Sequence, residues 1–457
     1  MGQQKALLLH GAVVHSISPT DLEILESALI IIDAHGQIVL FEKNAEVIPD
    51  ELDLPDHPDI KISNVEVHRL ERGTFLIPGL IDTHNHAPQY PQRGQGQGLH
   101  ILDWLSAVTF PKEAKFADPD YARRVYARCI DGFLKQGITT AAYYASAHGE
   151  ATRILADLCL AKGQRALVGK CNMDRNAPDY YRDASVEESL AVTEACIRHI
   201  RHIDPHGTLV QPVLTPRFAI TCDPAVLAGL GAIAAREESG GGGLPIQTHF
   251  NEARQEMAAT RELFPQFACE ADLYAHYALL GPRSILAHCC YMSEYELERV
   301  VALGCGIAHC PVSNMTIGGG FMAAPVREFL QRGIKVGLGT DSGGGFSSSI
   351  LDAMRQALIA SNAREVMSEG KDKGLAIEEL FYMATLGGAR VCSLEGKVGN
   401  FAVGKEFDAC LVSTLVEDQV MTMVEPEDTL QVVFEKFAMT GDDRNIAQVF
   451  VRGRRVK

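Results

Sequence analysis

From about residue 76 the chain alternates between two hydrophobic rhythms. A stretch with helical spacing closes on glycine, and a short β-branched or apolar run follows. FLKQG leads into ITTAAYYAS, LAKGQ into RALVGKCNMD, VALGCG into IAHCPVSN, and FLQRG into IKVGLGTDS. Glycine just past a helix end is the expected left-handed cap. Helix starts are marked as well. Asp118-Pro119 and Asp223-Pro224 pair a capping carboxylate with a first-turn proline, and Ser293 with Glu296 spells a capping box.

The extended runs are FLIPGLIDTH, ITTAAYYAS, RALVGKCNMD, GTLVQPVLTPR, LPIQTHF, SILAHCCY, GIAHCPVSN and IKVGLGTDS. Apolar strands alternating with helices predict a parallel sheet covered on both faces. Eight such units predict an α/β fold of the (β/α)8 TIM-like barrel type, with a doubly wound open sheet as the alternative. The stretch SGGGGLP, with Gly240 to Gly243, reads as a flexible loop before the fifth run. No Gly-Lys-Ser/Thr follows it, so it is not a phosphate loop.

The flanks read differently. Residues 1 to 74 hold short strands, including the hairpin SALIIID-AHG-QIVLFEKN, and the tail segments FDACLVST and NIAQVFVRGRRVK look the same. The expected organisation is a barrel over 75–395 with a small composite β-sandwich, one part from 1–74 and the other from 396–457.

Composition removes several function classes. Lys plus Arg number 42 against 58 Asp plus Glu, and a net charge of -16 repels a nucleic-acid polymer while leaving a small nucleobase admissible. The longest apolar runs, such as ALIII at 28–32, are too short to cross a bilayer, and Gly2 lacks the Ser or Thr at position 6 that lipidation needs. Twelve cysteines are scattered without a C-x-x-C pair and no leader is apparent, so the expectation is reduced thiols in the cytoplasm.

In such barrels chemistry sits at the C-terminal strand ends. Those ends carry His84 and His86 on the first strand, His249 on the fifth, His288 on the sixth and Asp341 on the eighth. Alternate strand residues face one way, so His84 and His86 point together into the barrel mouth. A solvated strand-end histidine is the plain reading of any one of these. Four imidazoles and a carboxylate at strand ends together suit a divalent transition metal, zinc most commonly, with iron equally compatible. Glu252, three residues past His249, reads as a proton shuttle, the alternative being a first-turn glutamate at a helix N-terminus. His199, His202 and His206 read as a solvated helix face, and His309 as a packed mid-strand residue.

Three lookalikes fail on context. TDSGGG at 340–345 resembles a trypsin-like nucleophile segment in a chain that is not all-β. His148-Gly149-Glu150 has no Pro-Cys-x-x-Cys to complete a deaminase zinc site of the other fold. Lys170 falls on the third strand, whereas barrels with a carbamylated bridging lysine usually carry it on the fourth, so one metal is expected.

PGLIDTHNHAPQY, TFPKE, PVLTPRFAI, QTHFNE, LAHCCYMSE, HCPVSNMTIGGG, GLGTDSGGG and GNFAVGKEFDA together resemble the amidohydrolase superfamily, and within it the guanine deaminases. The similarity runs from about residue 70 to 415. PG-x-x-D-x-H-x-H is shared with dihydroorotases, cytosine deaminases and chlorohydrolases, while APQY and TPRF select the guanine branch. The resemblance implies one zinc per subunit on His84, His86, His249 and Asp341. It implies Gln89, Arg217 and Phe218 as contacts to guanine, with His249 and His288 bordering it. Asp341 would take a proton from the attacking water. Glu252 would protonate ring N3 and later the departing ammonia, and His288 would stabilise the developing charge. Xanthine would be the other product. The resemblance also suggests a homodimer and leaves Tyr90, Trp104 and Phe110 either lining the pocket or packing. The alternatives are an aminohydrolase for 8-oxoguanine, cytosine or a triazine, and a scaffold that has lost its metal.

Overall fold

The computed structural model describes residues 5–239 and 243–457. The glycines expected to form a flexible loop at 240–242 lie outside them. The fold is TIM-barrel-like α/β. Its eight parallel inner strands are Leu80–His86, Ile138–Tyr144, Arg165–Gly169 continuing in Cys171–Asn172, Val210–Pro212 continuing in Thr215–Pro216, Ile246–Phe250, Ser284–His288, Gly306–His309 and Lys335–Leu338. The first four pair in sequence, as do the last four. The fourth reaches the fifth through the bridge Leu214 to Ile246. The eighth reaches the first where the Thr83 hydroxyl donates to the Leu338 carbonyl (2.8 Å) and the Asp341 amide to that of His84 (2.9 Å).

The punctuation of the sequence appears in the structure. Asp118 accepts from the Asp120 amide and Asp223 from that of Ala225, and Ser293 with Glu296 forms the capping box. Gly163 (φ 78°) and Gly304 (φ 67°) close their helices in the left-handed conformation.

FLIPGLIDTH, expected as one strand, is two strands in different sheets. Thr74–Pro78 joins the terminal sheet and Leu80–His86 the inner one. Gly79 sits at the switch, where the chain passes so near Thr139 that a Cβ would lie 2.1 Å from its hydroxyl. The terminal sheet has eight strands. It runs from Arg454–Arg455 through Ile446–Val451, Ala409–Ser413, Thr74–Pro78, Leu7–Ser18 and Asp21–Ile32 to Ile38–Lys43, with Glu66–Arg69 also paired to Leu7–Ser18. The two chain ends thus share one sheet. The tail also holds a helix absent from the sequence reading, Leu430–Thr440. It buries Leu430, Val433, Phe434, Phe437 and Ala438, a spacing of three and four that marks a helical face.

Fully buried Arg165 ties the two parts together, its guanidinium bonding Asp408 (3.0 Å) and Glu406 (2.6 Å). No helix among the described residues is long and apolar enough to cross a membrane.

Candidate active site

His84 and His86 leave the first inner strand on one face, as their spacing requires. The structure brings His249, His288 and Asp341 to meet them. The ring centroids of His84 lie 5.1 Å from His86, 4.9 Å from His249 and 5.2 Å from His288. Asp341 Oδ1 is 3.3 Å from His84 Nε2 and 3.6 Å from His86 Nε2. His288 (φ 74°) and Asp341 (φ 43°) both adopt left-handed backbone where their strands end, and strain of this kind concentrates at functional positions.

Protonation and orientation suit a cation. Burial holds His84, His86 and His249 below the ordinary imidazole range, so these rings are neutral. Burial works against Asp341 ionising, yet the imidazoles around it, His84 foremost, hold its carboxyl well below the usual range. His249 donates from Nδ1 to the Arg217 carbonyl (2.7 Å), and His288 Nδ1 bonds Asn314 Oδ1 (2.8 Å). Each turns Nε2 to the centre, the usual orientation of a ligating histidine, where that of His249 lies 3.1 Å from His86 Nε2. Both ring nitrogens of His84, Nδ1 of His86 and Nε2 of His288 are buried without a hydrogen-bond partner. Convergent lone pairs of neutral imidazoles beside an anionic carboxylate fit a divalent ion. Among the described residues His84, His86 and Asp341 form one group able to hold it, and His84, His249 and His288 another.

Beneath the centre, Asp82 accepts from the Thr340 amide (3.0 Å), the Thr340 hydroxyl (2.6 Å) and the His84 amide (3.2 Å). It thereby locks the first strand to the eighth. Burial pushes its carboxyl to about 7.

Glu252 follows Asn251, which is left-handed (φ 45°) and turns the chain back over the strand end. The Glu252 carboxyl stands 3.7 Å from His288 Nε2 and is pushed to about 7, chiefly by burial. An acid with that pKa can both hold and release a proton at neutral pH. Its turn is supported by three further buried glutamates. Glu270 accepts from the Asn251 amide, Glu296 from the Asn251 side chain and Glu256 from the Glu252 amide.

A narrow cavity lies over these groups, walled by His86, Gln89, Arg217, Phe218, Trp104 and Glu252 with neighbouring residues. Every sequence-derived site residue is at this cavity or in the cluster beneath it. A larger cavity between Phe75, Met421 and Val433 contains none of them. Trp104 turns its indole N–H to the Gln95 carbonyl and lines the cavity. Phe110 packs behind it, 5.5 Å from the Arg217 guanidinium, and Tyr90 faces away, stacked by Arg93 at 3.7 Å. Lys170 is held by Asp183 at 2.7 Å. His309 ends its strand rather than lying inside it, and is buried.

One residue escaped the sequence reading. Glu113, fully buried, accepts from Gln89 (2.7 Å), Tyr181 (2.5 Å) and Arg217 (2.8 Å). Burial opposes the charge of Arg217, but Glu113 raises its pKa above the ordinary guanidinium value. Arg217 and Glu113 thus form a buried salt bridge inside the cavity wall. Only the TFPKE stretch in the family resemblance signalled Glu113.

The sequence profile of the Amidohydrolase family matches residues 75–456. The probable guanine deaminase of Schizosaccharomyces pombe is 40% identical over 98% of this chain and 82% of its own. The guanine deaminase of Homo sapiens is 37% identical over 99% of this chain and 96% of its own. A crystal structure of guanine deaminase from C. acetobutylicum, with guanine bound in the active site, superposes with a TM-score of 0.86. It is 32% identical and is covered over 99% of this chain and 100% of its own.

Proposed function

This chain belongs to the amidohydrolase family, and from that premise we propose that it is a hydrolase converting guanine and water to xanthine and ammonia. The observation that carries the reading is one cavity joining a cluster of neutral imidazoles and Asp341 to a wall formed by Gln89, Arg217 and Phe218. Its likeness to a guanine-bound relative over essentially the whole chain supports it.

The residues take these roles. His84, His86, His249 and Asp341 would hold one zinc ion, which would supply Lewis-acid activation of water, lowering its pKa to about 7. Gln89 and Arg217 hydrogen-bond the purine edge, Phe218 packs on the ring, and His249 and His288 border it. Asp341 takes a proton from the attacking water. Glu252 protonates ring N3 as C2 is attacked, then collects the proton of the new C2 hydroxyl and passes it to the departing amino group, and the proton held by Asp341 returns to Glu252 to restore both carboxyls. His288, held by Asn314, stabilises the charge that develops in the tetrahedral intermediate.

The inner strands form a closed (β/α)8 barrel over 75–395. Residues 1–74 and 396–457 build the composite β-sandwich, a reading supported by the apolar cluster joining Leu7, Ile30 and Ile38 to Leu76, Phe407 and Phe450. The enzyme works in purine catabolism as a cytoplasmic homodimer.

Ammonia release from guanine, 8-oxoguanine, cytosine and a triazine tests the substrate, with guanine expected to be preferred. Preference for another base would overturn the reading. About one zinc per chain is expected by metal analysis, and a chain with neither metal nor activity would be a scaffold.

A further inference from the structure

The recognition wall of the cavity is arranged by a residue that does not line it. All three side chains bonded to Glu113 are donors: the Gln89 amide nitrogen, the Arg217 guanidinium and the Tyr181 hydroxyl. A carboxylate accepting these bonds requires Gln89 to turn its NH2 toward it. With the amide turned over, an amide oxygen would oppose a carboxylate oxygen 2.7 Å away. The group left over is the Gln89 carbonyl, Oε1, which is buried without a partner. Arg217 can contribute only donors. The wall therefore offers one acceptor beside donors, and Glu113 dictates which atom is the acceptor.

We infer that Glu113 is a positioning residue that fixes the polarity of Gln89. It thereby selects 2-aminopurines with a lactam edge, N1–H beside a 6-oxo group, over those with an amidine edge, bare N1 beside a 6-amino group. This rests on the proposed binding of guanine with its N1 and C6 edge toward Gln89 and Arg217. The lactam gives its N–H to Gln89 Oε1 and its oxygen to Arg217. The amidine reverses both, setting a bare nitrogen against Oε1 and an NH2 against the guanidinium. Two buried groups then lose their partners, which penalises a ligand far more than loss of packing does.

The test compares kcat/KM for guanine and 2,6-diaminopurine, following loss of the 2-amino group to xanthine and to isoguanine. Both carry the same leaving group and differ at the edge in question. The wild-type enzyme is expected to prefer guanine by at least about 100-fold. Equal efficiency would overturn the inference without any variant. Glu113→Gln lets Gln89 turn over, so the preference should fall at least about tenfold with metal content retained. Gln89→Leu should lower the preference too, and adding Glu113→Gln to it should lower it no further, because the first acts through the second. Parallel losses on both substrates with the ratio intact would make Glu113 merely structural. Wild-type protein that leaves guanine untouched would overturn the functional reading itself, and this inference with it.

Discussion

The imidazole of His249 and the backbone of Arg217 are joined by a 2.7 Å hydrogen bond from Nδ1 to the main-chain oxygen. The residue that turns Nε2 toward the histidine cluster is therefore oriented by the residue whose side chain lines the cavity. Stripping the metal with a chelator should abolish ammonia release, and zinc should restore it. The apo protein should also melt at a lower temperature, since an ion bound only by the native state stabilises it. Undiminished turnover in metal-free protein would refute the assignment.

Glu252→Gln keeps the size of the side chain and removes its titratable proton. Metal content should persist while kcat falls about 10²–10⁴-fold. A variant with full zinc and near-normal turnover would remove Glu252 from proton transfer.

Arg217→Ala leaves Glu113 buried without its cation, and breaking such a pair costs about 3–5 kcal/mol. Both KM for guanine and the urea midpoint should change for the worse. Guanine kinetics identical to wild type would place Arg217 outside the binding edge.

Burial raises the carboxyls of Glu256 and Glu270 above the usual range. Protonation therefore favours the folded state. For an acid raised in this way, that stabilisation is complete below the unfolded-state value and is lost as pH rises through the folded one. Glu270→Gln keeps an acceptor for the Asn251 amide and removes one charge. Melting curves should show the variant gaining on wild type as pH increases. A constant difference from acid to alkaline pH would contradict this.

Arg165 offers a contrast, because it lies in the joint between the sheets and not at the cavity. Arg165→Met leaves Glu406 with only Arg452 (3.2 Å) and Asp408 with only the Arg452 amide (2.9 Å), and should destabilise the fold by about 3–5 kcal/mol. Ammonia release per folded molecule should be unchanged, and a specific loss of kcat would show that the joint reaches the active site.

The cluster of His84, His86, His249, His288 and Asp341 is legible in the sequence because strand periodicity and strand-end position are both local properties. His84 and His86 declare themselves by their spacing, and His249, His288 and Asp341 by where their apolar runs stop. Glu113 is not legible in this way. It lies in a short helix, Phe110–Glu113, within the excursion after the first inner strand, where no periodicity specifies a direction. Its role arises only when Gln89, Tyr181 and Arg217, far apart in sequence, arrive at one carboxylate. The two-sheet reading of FLIPGLIDTH is hidden for a related reason. Pairing partners decide which sheet a strand joins, and a continuous apolar run does not name them.

The change of sheet at Gly79 has a consequence during synthesis on the ribosome. Thr74–Pro78, directly ahead of the strand bearing His84 and His86, pairs on one side with Leu7–Ser18, which is made first. Its other side waits for Ala409–Ser413. Until nearly the whole polypeptide has emerged, a bare β edge adjoins the nascent metal site, open to pairing with other chains. Truncation of the last fifty residues should thus yield aggregation, not a smaller working enzyme, even though every side chain of the candidate site remains.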